Sequence, residues 1–244
     1  MKSKLGAAFA LSFSLFAADF WTSKPFTQWS EKEAQRMVES SPWAKPVSVA
    51  MGGGEAQRGS GSNRRSMNEA GADSTTQPGA GDPMDGGGRG RNRNETPMMG
   101  IDSATLVVRW QTALPVRQAL VKMKYGSEAA TSDEAKKSLE SGGNLYVIAV
   151  AGVGREMLRG NPDSIKKTLI EQTALTAKGK DALKPADVQV SRTARGLELY
   201  FVFPKKVEFS LDDKEVEFAT KLESVSVRQK FRLKDMVYDG KLAL

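Results

Sequence analysis

The sequence predicts an α+β fold: a largely antiparallel sheet with two or three helices on one face, plus a short helical aromatic N-terminal segment. Three observations carry this. From Glu215 to Lys234, apolar and polar residues alternate through two runs, with Val216, Phe218, Val227 and Phe231 on one face and Glu215, Glu217, Lys230 and Arg232 on the other. A period of two with a wet face is a half-buried antiparallel pair. From Leu145 to Ala151 the chain is apolar on both faces, as a central strand covered on each side must be. Between such runs stand capped helical stripes.

In chain order, Lys2 and Lys4 precede an apolar run from Leu5 to Ala18, the length of a signal-peptide core and short for a membrane span. Residues 1–18 therefore read as a secretory signal; Leu15 and Phe16 fit a cleavage site poorly, which leaves an uncleaved anchor as the alternative. Residues 19–50 form an aromatic helical segment holding Trp21, Phe26, Trp29 and Trp43, three of them among the chain's 4 tryptophans. Its helix opens at Ser30 and Glu33, spaced as a capping box. Trp29 and Ala34 are placed as a hydrophobic staple, Ala34, Met37 and Val38 share a face, and Pro42 stops the helix. Residues 51–100 collapse into Gly, Ser, Asn, Asp, Pro and Arg, which predicts a disordered Gly-rich linker with too little apolar surface to offset ordering entropy.

An α+β domain fills residues 101–244. Ala104 to Gln111 reads as a strand with Leu106, Val108 and Trp110 inward; Pro115 then starts a helix with Val116, Ala119, Leu120 and Met123 on one stripe. Ser132 caps a second helix that uses Ala135 and Leu139 and ends at Gly142 and Gly143. Asn161-Pro162 starts a third, with Ile165, Leu169 and Ile170 inward. Val188 and Val190, then Leu197 to Phe203 after a turn at Arg195-Gly196, form strands, and Val207 to Leu211 suggests another. In the alternating pair, a two-residue turn at Glu223-Ser224 sets Glu217 opposite Lys230 and Glu215 opposite Arg232. Asp239-Gly240 suits a last hairpin turn.

Composition excludes more chemistry than it suggests. The chain has no His and no Cys, so there is no Ser-His-Asp triad, thiolate nucleophile, imidazole or thiolate metal site, or disulfide. The net charge is +7, yet residues 101–244 hold 24 Lys and Arg against 19 Asp and Glu, scattered as on a solvated surface. Arg89, Arg91 and Arg93 lack the aromatics that stack bases, so nucleic acid is not the expected partner. Gly152 and Gly154 follow a strand as a phosphate cradle would, but Met157 stands at the third glycine position, and a backbone turn explains them better. Asp212, Asp213, Glu215 and Glu217 do not have the spacing of a calcium loop. No catalytic residue, metal ligand or cofactor is expected.

The runs Phe26-Thr27-Gln28-Trp29-Ser30-Glu31-Lys32-Glu33 and Ser41-Pro42-Trp43-Ala44-Lys45-Pro46, with Leu114-Pro115-Val116-Arg117 and the ending Phe231 to Leu242, resemble a group of exported bacterial proteins of uncharacterised function. The resemblance implies export and carries no site.

These features point to a periplasmic or secreted, non-enzymatic envelope protein that binds or scaffolds a partner. Trp21, Phe26, Trp29 and Trp43 are the candidate binding residues, and their partner is the chain's own C-terminal domain or an envelope protein. The alternative is a carboxylate-dependent hydrolase acting on an envelope polymer. An enzyme would show a cleft with two converging carboxylates, and a binder an apolar patch or groove.

Overall fold

The computed structural model describes residues 19–51, 103–140 and 143–244. The leader expected at residues 1–18, nearly all of the Gly-rich stretch and the helix stop expected at Gly142 lie outside them. The fold is α+β. Helices α1 (Phe20–Ser23) and α2 (Glu31–Glu39) lead into strand β1 (Ala44–Ala50), which pairs antiparallel with β2 (Ser103–Trp110). Next come α3 (Leu114–Tyr125), α4 (Asp133–Glu140), β3 (Leu145–Val153), α5 (Pro162–Gln172) and β4 (Ala174–Ala177). The chain closes with β5 (Asp187–Thr193), β6 (Gly196–Pro204), β7 (Glu215–Leu222), β8 (Val225–Arg232), β9 (Val237–Tyr238) and β10 (Lys241–Leu242).

The strands form a five-stranded sheet in the order β1-β2-β3-β6-β5, a three-stranded sheet β4-β7-β8 and the small hairpin β9-β10. All pairings are antiparallel. The two larger sheets meet face to face: Trp110 of β2 lies 5.5 Å from Phe231 of β8, and Phe201 of β6 lies 5.3 Å from Phe218 of β7, ring centre to ring centre. Period-two alternation drives this, because it hands each strand one apolar face and the sheets bury those faces on each other. Leu106, Val108, Trp110, Ile148, Phe201 and Phe203 are fully buried there. As its apolar sequence predicts, β3 is the central strand.

The β7–β8 hairpin has the register the alternation implies, with Glu217 opposite Lys230, Glu215 opposite Arg232, and Glu223-Ser224 as the turn. Asp239-Gly240 is likewise a two-residue turn, with φ of 49° and 73°. Two expectations differ. Val207 to Leu211 forms no strand; Phe209 is buried while Leu211 stays 51% exposed. Val190 is 54% exposed, because β5 ends the sheet, and Val188 is the one buried residue of that strand.

Residues 19–50 contribute a strand as well as helices. β1 runs beside β2 from Ala44 opposite Arg109 to Ala50 opposite Ser103, so residues 51–102 connect neighbouring strands of one sheet. Pro46 lies within β1 and is tolerated because β1 ends the sheet.

The glycines flagged as a possible cradle serve the backbone. Gly152 (φ 83°) sits in a bulge of β3, and only a single 3-10 turn, Arg155–Met157, follows. Gly196, in the β5–β6 turn, has φ 119°, and a Cβ there would stand 3.0 Å from the Val153 carbonyl oxygen. Gly196→Ala is therefore expected to cost about 1–3 kcal/mol, read as a lower urea midpoint at unchanged slope.

Candidate functional site

The aromatic segment is the first place to look. Helix α2 begins with the capping box: the Ser30 hydroxyl accepts from Glu33 N at 3.3 Å, and the Glu33 carboxylate accepts from Ser30 N at 2.8 Å. Lys24 closes on Glu33 at 2.8 Å. The Lys24 hydrogen bond foremost, then the Ser30 backbone N–H, holds the Glu33 carboxyl down at about 2. A depressed carboxyl stabilises the fold above its unfolded value and loses that contribution as pH falls toward the folded one. Glu33→Gln keeps a side-chain oxygen for the Ser30 N–H but loses the charge that Lys24 pairs with, and should thus lower the melting temperature at neutral pH. The gap to wild type should close between pH 4.5 and about 2; a gap that persists at pH 2 would refute this.

Held this way, the segment turns its rings into the protein. Trp21, Trp29 and Trp43 are 7%, 1% and 0% exposed, and Phe26 is half-buried. Edge-to-face contacts link Phe20 to Trp29 at 5.3 Å, Trp21 to Trp43 at 5.9 Å, and Trp43 to Tyr238 of β9 at 6.3 Å. The Trp43 indole donates to the Ala243 carbonyl at 2.8 Å, and its carbonyl accepts from Trp110 N at 2.7 Å. Lys122 of α3 donates to the Thr27 carbonyl at 2.8 Å. The four candidate residues are thus packed within the chain's own core, with Phe26 also bordering a smaller cluster of Val121, Ala129 and Ala135.

A polar network that sequence reasoning missed lies on the outer face of the five-stranded sheet. Arg109 of β2 pairs through Nη2 with Glu198 of β6; their side chains are 8% and 11% exposed. Arg109 also donates through Nε to Gln111 at 2.8 Å and through Nη1 to the Val38 carbonyl of α2 at 3.4 Å. Glu39, next in α2, pairs with Arg195 of the β5–β6 turn. Burial first, then the negative charge of Glu198 and a hydrogen bond to it, pushes the Tyr200 hydroxyl up to about 12. This network fastens α2 to the sheet, and every member has a partner.

An open groove of ≈ 310 Å³ lies between α3, α4 and β3. Arg117, Leu120, Val121 and Lys124 recur along α3 at helical spacing, so one stripe of that helix forms one wall, while Val147 of β3 lies across from it. Of the stripe expected to face the core, Val116 and Ala119 are fully buried, but Leu120 is only half-buried and lines the groove, and Met123 is 44% exposed, so the helix is rotated from that expectation. Arg117 donates through Nη1 to the Leu139 carbonyl in the last turn of α4 at 2.6 Å. Its Nε is buried and has no partner among the described residues. Burial pushes this guanidinium below its ordinary value. Lys124 lies 4.9 Å from the centre of the Tyr125 ring. The acid that senses Lys124 is Glu134 of α4, which is held below its usual range first by the Ser132 hydroxyl and only lastly by Lys124.

Two other clefts differ in character. One of ≈ 230 Å³ beside α5 includes Arg159 and Glu223, which are joined by an Arg159 N–H donating to the Glu223 carboxylate at 3.0 Å. Another of ≈ 500 Å³ sets Asp19 and Asp235 among Lys45 and Lys234, a balanced polar surface. Among the described residues no three Asp or Glu side chains gather as a metal site, and no helix is long and apolar enough to cross a membrane. No family model, no curated protein and no solved structure matches the chain.

Proposed function

We propose that this chain is an exported binding protein that holds a partner polypeptide in the groove between α3, α4 and β3. The observation that carries this is the Arg117 guanidinium, set in an apolar wall with a buried Nε that no described residue satisfies. A buried donor left unpaired costs about 1–3 kcal/mol, a cost that a bound acceptor removes. The groove's polar groups are cations and hydrogen-bonding side chains, which suits holding a ligand over the proton transfer that paired carboxylates perform. The leader-like run from Leu5 to Ala18 supports export.

Both halves can be tested. A photo-crosslinking residue placed at Lys124 of the full chain, in cells of the source organism, should give one discrete adduct that is absent when the same residue replaces the exposed Gln189 of β5. Equal labelling from both positions, or from neither, would overturn the groove. A fusion of residues 1–50 to a reporter active only outside the cytoplasm should be active, and a silent fusion would overturn export.

A further inference from the structure

The geometry points to the free C-terminal carboxylate of an apolar-ended polypeptide as the group seated in the α3–α4 groove, bound by the Nε–Nη2 edge of Arg117. This rests on the groove being a partner site, and it adds the chemistry of the anchor. A guanidinium has two edges that grip a carboxylate with paired N–H bonds. In Arg117, Nη1 is committed to the Leu139 carbonyl, which fixes the plane of the group and leaves the edge containing the unpartnered Nε. The plane of the guanidinium is therefore fixed before any ligand arrives, and a carboxylate that takes this edge meets Nη2 first and must open the packing that closes Nε off from solvent.

The surroundings narrow the ligand. Leu120, Val121 and Val147 offer a wall for apolar side chains, and Lys124 adds a second positive charge about two helical turns from Arg117. Among the described residues no Asp or Glu lines the groove, and Glu134 of α4, which senses Lys124 only weakly, lies outside the lining, so the groove's charge complements an anion. At ≈ 310 Å³ it stands at the bottom of the range of about 300–1,000 Å³ typical of small-molecule pockets, and it is open. A fatty acid needs its tail enclosed. A polypeptide end needs only its last residues held, with the remainder running into solvent, as in other captures of terminal carboxylates.

The test uses the full chain and two fluorescent peptides of one sequence ending in Leu-Val, one with a free carboxylate and one with a C-terminal amide. By fluorescence anisotropy the acid should bind at least about tenfold more tightly, the size expected for hydrogen bonds to a charged group. Arg117→Lys keeps the charge but cannot form the fork, so the ratio should fall toward one. Equal binding of acid and amide by the wild-type chain overturns the inference with no need for a variant. So does a preference that survives Arg117→Lys, binding of neither peptide, or a medium-chain fatty acid that binds while the peptides do not. If acid and amide bind equally while the Lys124 adduct persists, the groove stands and the carboxylate anchor falls; loss of the adduct removes both.

Discussion

A chain lacking residues 19–50 is expected to show no cooperative unfolding transition. The deletion removes β1, α2 and the buried rings of Phe20, Trp21, Trp29 and Trp43. Truncating one buried Phe or Trp costs about 3–5 kcal/mol, and a domain's whole stability is about 5–15 kcal/mol. Four such losses exceed it. A milder version separates packing from the loss of a strand: Trp43→Ala keeps β1 but gives up the ring contact with Tyr238 and the bond to Ala243. It should cost about 3–5 kcal/mol and lower the melting temperature by about 10 °C. Circular dichroism with heating checks both, and a deletion that melts within a few degrees of the full chain would show the segment to be an appendage.

Arg109→Met should be the most damaging single change on the outer face of the large sheet, at about 3–5 kcal/mol, because it leaves Glu198 buried without its countercharge. The informative measurement is the second variant. Adding Glu198→Gln removes the stranded charge while keeping an oxygen for the Tyr200 hydroxyl, and should restore at least half of the lost stability. If the double variant is as unstable as Arg109→Met, the arginine acts through packing and its bond to the Val38 carbonyl, not through its charge partner.

What could be read in advance follows the range of the forces involved. The β7–β8 register, the Ser30 cap, the Asn161-Pro162 helix start and the Asp239-Gly240 turn are each set by residues a few positions apart, and local pattern identified them. β1 was not read as a strand, since Pro46 interrupts it and its partner Val107 lies far along the chain. Arg109 and Glu198 fall on the face that alternation marks as wet. They are buried because α2 lies over them, a fact of tertiary packing that periodicity cannot hold. The groove is hidden for the same reason: α3, α4 and β3 each supply one wall, and the unpaired Nε of Arg117 exists only once Leu139 has claimed Nη1.

Pro46 also bears on what the molecule does in a crowd. The end of a sheet is a row of unpaired backbone groups, and any extended chain nearby can add to it. β2 would be such a template, since Thr105, Val107 and Val108 make it rich in β-branched residues. β1 covers it and then, at Pro46, presents a residue with no N–H to an arriving strand, whether β8, which runs close by without pairing, or a strand of another molecule. The N-terminal segment is therefore expected to protect against fibrous self-association, and a chain that has lost it should assemble into β-rich aggregates sooner than remain in solution as an unfolded monomer.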